Sequence, residues 1–355
     1  MTASLDIELT RKCNLRCDYC FVGWSRDWTS SMPPAVAHQI VREGAGLFPV
    51  LHFTGGEAFA YRDLFELVEA GLDLDYPEIL INTNGTLLTP AIAQRLAGYG
   101  RRMHISVSLD GPQTIHDSVR GEGMYRRASQ SIDDLLAAGV RVTVMSVVTP
   151  TVLAGLPDFV AELFRAHPGI VGVTLFPVGV GPEGSQKPGA KLSPLTPQEL
   201  QALALAVALL YRTGYPVGVA AYPIINPLLA AFGYPASQLY QCTAGRGRVC
   251  VHADLTVSTC HPVKDPVYGM WQSGLFERLH EFPAHRRMAT RDFDGCRTCA
   301  LQEQCGHCRA FVTGSGQPLY GNDRICHEAL RPIINLEPII RAPLSNHLRT
   351  VEDSV

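Results

Sequence analysis

The eleven cysteines of this 355-residue chain fall into two groups that constrain the fold more than any other feature. Cys13, Cys17 and Cys20 lie near the start, no cysteine occurs from residue 21 to residue 241, and eight follow. An odd number leaves one thiol over in a disulfide framework, and the N-terminus has neither the basic nor the apolar region of a secretory signal. We therefore expect a cytoplasmic protein whose thiols stay reduced and bind metal.

Composition excludes two classes of partner. The net charge is −3 and charged residues make up 18% of the chain, so no basic surplus is present to neutralise nucleic acid or anionic lipid. The most apolar window, residues 200–210, is much shorter than the roughly 20 residues that cross a bilayer. We expect no nucleic-acid and no membrane partner, and we interpret this window as a buried helix.

Short β-rich runs alternate with helical stretches from residue 5 to about residue 181, which is typical of parallel strands joined by crossover helices. Six strands are predicted, at Leu5–Thr10, Val50–Thr54, Ile79–Thr83, His104–Leu109, Val140–Val148 and Ile170–Pro177. Five helices are predicted between them, at Pro33–Leu47, Arg62–Leu72, Pro90–Gly98, Tyr125–Ala138 and Leu156–Ala166. The first helix has Ser31 as its predicted cap.

Six β/α units are fewer than the eight of a closed barrel. We therefore predict an α/β fold with an open, partial (β/α)6 TIM-like barrel over residues 1–181, whose active face lies at the C-terminal ends of the strands. Residues 182–239 begin with many glycines and prolines and continue with a helix at about Pro197–Thr213, so we interpret them as a linker with a bridging helix. Residues 240–330 are a Cys-rich domain ordered by metal, and residues 331–355 form a C-terminal tail.

The first three cysteines lie in a loop directly after the first predicted strand, with Cys-x3-Cys-x2-Cys spacing. Three thiolates on one loop can hold three irons of a [4Fe–4S] cluster and leave the fourth iron open for a chelating ligand. With Tyr19 just before the third cysteine, the motif resembles that of the radical S-adenosylmethionine (SAM) superfamily, in which SAM occupies the open iron. A zinc loop is the alternative, although zinc needs a fourth ligand nearby.

Further motifs at the predicted strand ends resemble the same superfamily. Gly55, Gly56 and Glu57 follow the second strand and resemble the element that binds the amino group of SAM. Glycines let the backbone approach a ligand closely, and a carboxylate pairs with an ammonium group. Asn84 lies in a Thr-Asn-Gly segment and Ser108 in a Ser-Leu-Asp-Gly segment. The resemblance implies that both belong to the SAM site.

A His-Asp-x-x-Arg motif follows, as in many peptide-modifying members of the superfamily. It comprises His116, Asp117 and Arg120. The resemblance implies that Arg120 binds the carboxylate of SAM, with Arg127 as the alternative. Asp110 and His116 can equally serve as turn residues or helix caps.

The eight later cysteines resemble the SPASM extension, a C-terminal domain of subtilosin, pyrroloquinoline quinone, anaerobic sulfatase and mycofactocin maturation enzymes. The resemblance implies two auxiliary [4Fe–4S] clusters beside the SAM-binding one, three in all. It assigns Cys242, Cys250, Cys260 and Cys308 to the nearer cluster, and Cys296, Cys299, Cys305 and Cys326 to the farther one. A pair of zinc ribbons is the alternative, because Cys-x2-Cys is also zinc spacing.

Two positions depart from the SPASM pattern. Only Gly306 and His307 separate Cys305 from Cys308, where three residues are usual. Leu255 stands where a glycine commonly precedes the third cysteine by five residues. Either change can shift a ligand, and His307 can replace one.

The resemblance implies a radical SAM oxidoreductase that cleaves SAM to a 5′-deoxyadenosyl radical and receives electrons from a reductant such as flavodoxin or ferredoxin. Most similar enzymes modify peptides, so a ribosomally synthesised peptide is the first substrate hypothesis. Its recognition would use the barrel mouth, the linker or a separate recognition protein, because the barrel already starts at residue 5. A small molecule such as a tetrapyrrole or a sugar is the second hypothesis. An iron–sulfur carrier is the third, which the Gly-Gly-Glu element opposes because a carrier needs no SAM site.

Sulfatase maturases, which oxidise a protein side chain, also have eight auxiliary cysteines. An aspartate base follows the third of these, where this chain has His261. An imidazole acts as a general base near neutral pH, so His261 is the candidate catalytic residue for an oxidation. A hydrogen bond to a cluster thiolate is its alternative role.

Overall fold

A computed structural model of the chain describes residues 3–20, 22, 27–178, 193–220, 222–263 and 267–290, together with Leu301, Cys305 and Cys308. The strands of this described part are Ser4–Thr10 (β1), Val50–Gly55 (β2), Glu78–Thr83 (β3), Met103–Ser108 (β4), Arg141–Val148 (β5), Gly172–Pro177 (β6), Val217–Val219 (β7), Arg248–Val251 (β8) and Val257–Ser258 (β9). Its α-helices are Pro34–Gly44 (α1), Leu64–Asp73 (α2), Pro90–Gly98 (α3), Gln113–Arg120 (α4), Met124–Ala137 (α5), Pro150–Ala154 (α6), Leu156–Ala166 (α7), Pro197–Arg212 (α8), Asn226–Ala231 (α9) and Pro283–Thr290 (α10).

One nine-stranded sheet, in the order β7-β6-β5-β4-β3-β2-β1-β8-β9, carries the fold. All pairs are parallel except β8 with β9, which form an antiparallel hairpin. The predicted α/β class is confirmed, and all six predicted strands form within two residues of their expected bounds. The sheet continues past them because β7 follows β6 and the Cys-rich segment adds its hairpin to β1. Strands of two to four residues are too short to give a periodic signal.

The first helix differs from its prediction at both ends. Ser31 is not the cap: its hydroxyl lies 2.6 Å from the Thr10 hydroxyl, and Pro33 occupies the N-cap position. The helix ends at Gly44 rather than at residue 47, and Gly46 then adopts a left-handed φ of 77° that reverses the chain. Ser31 thus fixes the segment after the cysteine loop to the end of β1.

Strand β1 is buried along its whole length, with apolar and acidic residues in alternation. Leu5 packs beneath α1, because a Cβ added at Gly44 would lie 2.4 Å from its Cδ2 atom. Asp6 and Glu8 point to the opposite side, where they pair with His52 on β2 and with Arg11. The helices therefore cover the apolar face of the sheet, and the inner face is polar.

The turn between β8 and β9 contains a non-glycine residue in a left-handed conformation. Leu255 has a φ of 67°, which costs a residue with a Cβ atom roughly 1–2 kcal/mol. Its backbone is held on both sides, since its N–H donates to His252 and its carbonyl accepts from Trp271 at 2.7 Å. The turn thus adopts a left-handed conformation of the kind that glycine favours, although the residue is leucine.

The apolar window at residues 200–210 forms the middle of α8 and buries Leu200, Leu203 and Val207, as predicted. Within the described ranges, no helix is long and apolar enough to cross a membrane. The tail at residues 331–355 and the linker at residues 182–192 lie outside them.

Candidate functional site

The cysteine loop begins at the C-terminal end of β1 and is held there by the Gly-Gly-Glu turn at the end of β2. The N–H of Gly56 donates to Thr10 at 2.7 Å, and that of Glu57 donates to Lys12 at 2.9 Å. A Cβ added at Gly56 would lie 2.4 Å from the Lys12 carbonyl oxygen. Gly55 is equally confined, 2.3 Å from the Thr10 carbonyl oxygen. The two glycines therefore allow the close approach of two backbones.

Replacement of Gly56 by alanine is expected to lower the free energy of unfolding by about 1–3 kcal/mol, since the new methyl group overlaps rigid backbone. Thermal unfolding of the purified protein measures the change. Gly98→Ala is the matched control, because nothing lies within 4 Å of a Cβ there. If the two substitutions changed the free energy of unfolding equally, the contact of Gly56 with the cysteine loop would not contribute to stability.

Glu57 is a buried carboxylate surrounded by donors. It accepts from the Thr83 hydroxyl at 2.7 Å, from the backbone of Asn84 at 2.8 Å and from the backbone of Phe59 at 3.1 Å. Burial raises its pKa although these hydrogen bonds oppose the change. A ligand ammonium group beside Glu57 would lower this pKa again, because an opposite charge favours the ionised carboxylate.

Cys13 lies next to this carboxylate. The side-chain amide of Asn84 is 3.7 Å from the Cys13 sulfur, and the backbone of Leu15 donates to the same sulfur at 3.3 Å. Burial, together with the charge of Glu57, raises the pKa of Cys13 to about 11, although the hydrogen bonds from Leu15 and Asn84 oppose the change. The ends of β1, β2 and β3 therefore bring Cys13, Glu57 and Asn84 into one site.

The other two cysteines of the loop share a pocket with a cation. Burial raises the pKa of Cys17 to about 12, the Arg120 guanidinium lowers it, and the charges of Cys20 and Cys13 raise it. All three thiols are half-buried. The structure thus brings together the three predicted ligands of the SAM-binding cluster, with one positive charge beside them.

Asp110, just after β4, joins this loop to the rest of the barrel. Its carboxylate accepts from the Tyr19 hydroxyl, from the Arg120 guanidinium and, at 2.7 Å, from the backbone of Val147. The side chains of Asp110 and Arg120 are 1% and 11% exposed. Burial alone would raise the pKa of Asp110, but the Arg120 cation reverses the effect and lowers it. Ser108 is buried nearby as the last residue of β4.

His116 has a structural role in α4. Its Nδ1 atom accepts a hydrogen bond from the backbone N–H of Asp110 at 3.0 Å. Burial and the nearby Arg120 cation lower its pKa to about 4, so the ring is neutral at physiological pH. Asp117 accepts from the backbone of Tyr125 at 2.8 Å and ties α4 to α5. The His-Asp-x-x-Arg motif therefore braces the turn that carries Asp110.

Three cysteines of the second group approach one another around Tyr240. Burial raises the pKa of its phenol, the Arg248 cation lowers it, and the charges of Cys242, Cys308 and Cys260 raise it. Cys250 is buried on β8, in register with Asp6 of β1. Cys305 is buried as well, whereas Cys296, Cys299 and Cys326 lie outside the described residues.

His261 lies between the barrel and the hairpin. Its Nε2 atom is 2.6 Å from a carboxylate oxygen of Glu8, and Nδ1 of His252 is 3.1 Å from the same oxygen. The sequence analysis did not identify Glu8. The sequence feature that could have identified Glu8 is the presence of acidic residues in an otherwise apolar strand, since Asp6 and Glu8 alternate with leucine and isoleucine in β1.

The donor sets fit iron–sulfur clusters. In each group, the charges of three cysteines act on one another or on a shared neighbour, and their side chains are partly or fully buried, which suits thiolate ligation. Thr259 adds an independent observation, because its hydroxyl is buried beside Cys260 with no hydrogen-bond partner among the described residues. A buried hydroxyl without an acceptor is costly, and a cluster sulfur would provide one.

Comparison with known proteins agrees with this geometry. The sequence profile described as the Radical SAM superfamily matches residues 7–163. The mycofactocin maturase MftC of Mycobacterium tuberculosis is 27% identical over 362 residues, which cover 96% of this chain and 87% of the relative. The AdoMet-dependent heme synthase of Methanosarcina barkeri is 37% identical over 139 residues. That match covers 37% of this chain and 38% of the synthase, so the chain spans well under half of the heme synthases' length.

Solved structures share the fold over nearly the whole chain. One is anSMEcpe with bound AdoMet and the Kp18Cys peptide, with a TM-score of 0.70 and 18% identity, covering 96% of this chain and 99% of that one. The other is Streptococcus suis SuiB bound to its precursor peptide SuiA, with a TM-score of 0.70 and 15% identity, covering 92% of this chain and 76% of that one.

Proposed function

Since this chain belongs to the radical SAM superfamily, we propose that it oxidatively modifies a ribosomally synthesised peptide, by crosslinking or dehydrogenation. The convergence of Cys13, Glu57 and Asn84 at three strand ends supports the SAM site. A peptide substrate is supported by the length of the match to the maturase MftC, which covers 96% of this chain. The peptide-bound structures with this fold are consistent with it.

In this proposal Cys13, Cys17 and Cys20 hold the SAM-binding cluster, whose fourth iron is left for SAM. Glu57 pairs with the SAM ammonium group, since its carboxylate is buried near Cys13. Reductive cleavage of SAM at that cluster would supply a 5′-deoxyadenosyl radical able to remove a hydrogen atom from a substrate. Loss of a proton from the resulting substrate radical would then leave one electron for an acceptor.

Auxiliary clusters in the Cys-rich domain would supply an acceptor for that electron, or a relay of electrons toward the SAM site. The four proposed ligands of the nearer cluster are Cys242, Cys250, Cys260 and Cys308, and those of the farther one are Cys296, Cys299, Cys305 and Cys326. Full ligation leaves no iron open to chelate substrate, so electron transfer is the role that remains. His261 stays the candidate base, and its bond to Glu8 would orient the ring.

Arg127 is proposed as the partner of the SAM carboxylate. Arg120 is already bound to Asp110 and buried, whereas Arg127 is exposed in the first turn of α5. That turn packs against the end of β3, because a Cβ added at Gly85 would lie 3.2 Å from Cα of Ala128. Arg127 is therefore next in the chain to a residue that packs at this strand end, and it has no ion pair among the described residues.

Replacement of Arg127 by alanine is expected to weaken SAM binding about tenfold or more, because a hydrogen bond to a charged group contributes about 1.5–3 kcal/mol. Calorimetry on the anaerobically reconstituted protein measures the Kd. Arg120→Gln is the contrasting variant: it should lower the melting temperature and leave the SAM affinity of the folded protein unchanged. The opposite result, with Arg120 controlling the Kd, would restore Arg120 as the carboxylate partner.

The direct test of the proposed function is an anaerobic reaction with SAM, reductant and candidate precursor peptides, followed by mass analysis. The candidates are short precursors with repeated Cys, Ser or aromatic residues encoded beside this chain. We expect a mass loss of two hydrogens in one of them. SAM cleavage without any change in the peptides would count against a peptide substrate.

A small-molecule oxidation is the second candidate. The 37% identity to a heme synthase favours it, although that match covers only 37% of this chain. Dehydrogenation of a tetrapyrrole in the same assay, with the peptides unchanged, would establish it in place of peptide modification.

A further inference from the structure

A partly buried cation, Arg248, lies between the barrel and the auxiliary cysteines. Arg248, the first residue of β8, pairs with β1: its Nε atom is 3.1 Å from the Ser4 hydroxyl and 3.5 Å from the Asp6 carboxylate. Asp6 also binds Nδ1 of His52 at 3.1 Å. This side of the polar barrel interior therefore carries a fixed positive charge and a fixed negative charge in contact.

The same guanidinium reaches toward the cysteines. Its Nη1 atom donates to the Tyr240 hydroxyl at 3.3 Å, and its backbone N–H donates to Thr243, the neighbour of Cys242, at 3.0 Å. The charges of Asp6, Tyr240, Cys260 and Cys242 all act on Arg248 and raise its pKa. In return, Arg248 favours the thiolate of Cys260 and Asp6 disfavours it. Both charges thus act on the proposed ligands of one cluster.

Charges so placed have a predictable effect on electron affinity. Reduction adds a negative charge to an iron–sulfur cluster, and net charge and hydrogen bonds nearby set its potential. A guanidinium remains protonated in proteins, so its field is constant across physiological pH. Salt screens partly buried charges less than exposed ones, and the side chains of Arg248 and Asp6 are 30% and 4% exposed.

We propose that Arg248 raises, and Asp6 lowers, the reduction potential of the nearer auxiliary cluster, whose proposed ligands are Cys242, Cys250, Cys260 and Cys308. This inference rests on the proposed function, because it requires that cluster to be present. The two residues would together set how readily the cluster accepts the electron that leaves the substrate.

The barrel offers a matched comparison for these charges. Arg141 and His104 both contact the carboxylate of Glu78, which reproduces the arginine, carboxylate and histidine arrangement on other strands. Arg141 is on β5, and β4, β3 and β2 separate it from β1. Its replacement removes a similar ion pair without touching the Cys-rich hairpin.

The test is a redox titration followed by electron paramagnetic resonance, on full-length protein carrying C13A, C17A and C20A so that only auxiliary clusters give a signal. Arg248→Met is expected to lower one midpoint potential by about 59 mV. For one electron this corresponds to a tenfold decrease in the equilibrium constant for reduction. Asp6→Asn is expected to raise the same potential. Arg248→Lys, which keeps the charge, should fall between wild type and Arg248→Met, and Arg141→Met should change nothing.

Opposite shifts for Arg248→Met and Asp6→Asn would support the proposal. Unchanged potentials, or shifts of the same sign, would overturn it. If Arg248→Met fails to assemble the cluster, Asp6→Asn and Arg248→Lys decide the outcome alone. Absence of iron from the C13A/C17A/C20A protein itself would instead contradict the auxiliary clusters of the proposed function, whatever residue occupies position 248.

Discussion

Replacement of Cys17 by alanine is expected to abolish the reductive cleavage of SAM while the barrel stays folded. Cys17 shares its pocket with Cys13, Cys20 and Arg120, and two remaining thiolates cannot hold a cluster that needs three. Iron should fall from about twelve to about eight per chain if three clusters are present in the wild type. Chromatographic detection of 5′-deoxyadenosine and a colorimetric iron assay measure the two effects.

Cys308→Ala is the control for this prediction, because it removes a thiol from the second group near Tyr240. The Cys308→Ala variant should still cleave SAM, but it should not form the oxidised substrate. Continued SAM cleavage by Cys17→Ala would show that the N-terminal loop does not hold the reactive cluster.

Replacement of Asp110 by alanine is expected to lower the free energy of unfolding by about 3–5 kcal/mol, the usual cost of leaving a buried charge unpaired. Arg120 would lose its partner inside the protein, and the hydroxyl of Tyr19 would lose its acceptor. Because Tyr19 lies in the cysteine loop, cluster assembly should fall with stability. Chemical denaturation of the apoprotein measures the first effect, and iron content measures the second.

Glu162→Ala is the matched control, because Glu162 pairs with Arg165 on the exposed surface of α7. Exposed pairs contribute about 0–1 kcal/mol, so this variant should resemble wild type. Replacing both Asp110 and Arg120 by leucine should cost less than Asp110→Ala, since no buried charge is then left alone. If Asp110→Ala lowered the free energy of unfolding no more than Glu162→Ala does, the Asp110–Arg120 pair would not anchor the cysteine loop.

The strands of the barrel were predictable because their signal is local. Each of the six is a short β-rich run bounded by turn residues, and the motifs at Gly55, Asn84 and Ser108 fall at strand ends in the structure. The left-handed φ of Leu255 was not predictable, because residues with a Cβ atom rarely adopt that conformation.

The electrostatic contacts were not predictable from spacing. Asp110 and Arg120 were both noted, but their mutual ion pair depends on how α4 turns back onto β4. Asp6 and Arg248 are joined only because β8 pairs with β1, a contact between distant parts of the chain. Patterns in sequence show which residues are polar and buried, whereas the fold decides which of them meet.

Reductive formation of 5′-deoxyadenosine by the anaerobically reconstituted wild-type protein tests the central claim most directly. The cysteine loop, Glu57 and Asn84 predict that the protein binds iron, about twelve atoms per chain for three clusters, and releases 5′-deoxyadenosine from SAM when a strong reductant is added. Protein that contains zinc in place of iron, or that leaves SAM intact under these conditions, would contradict it.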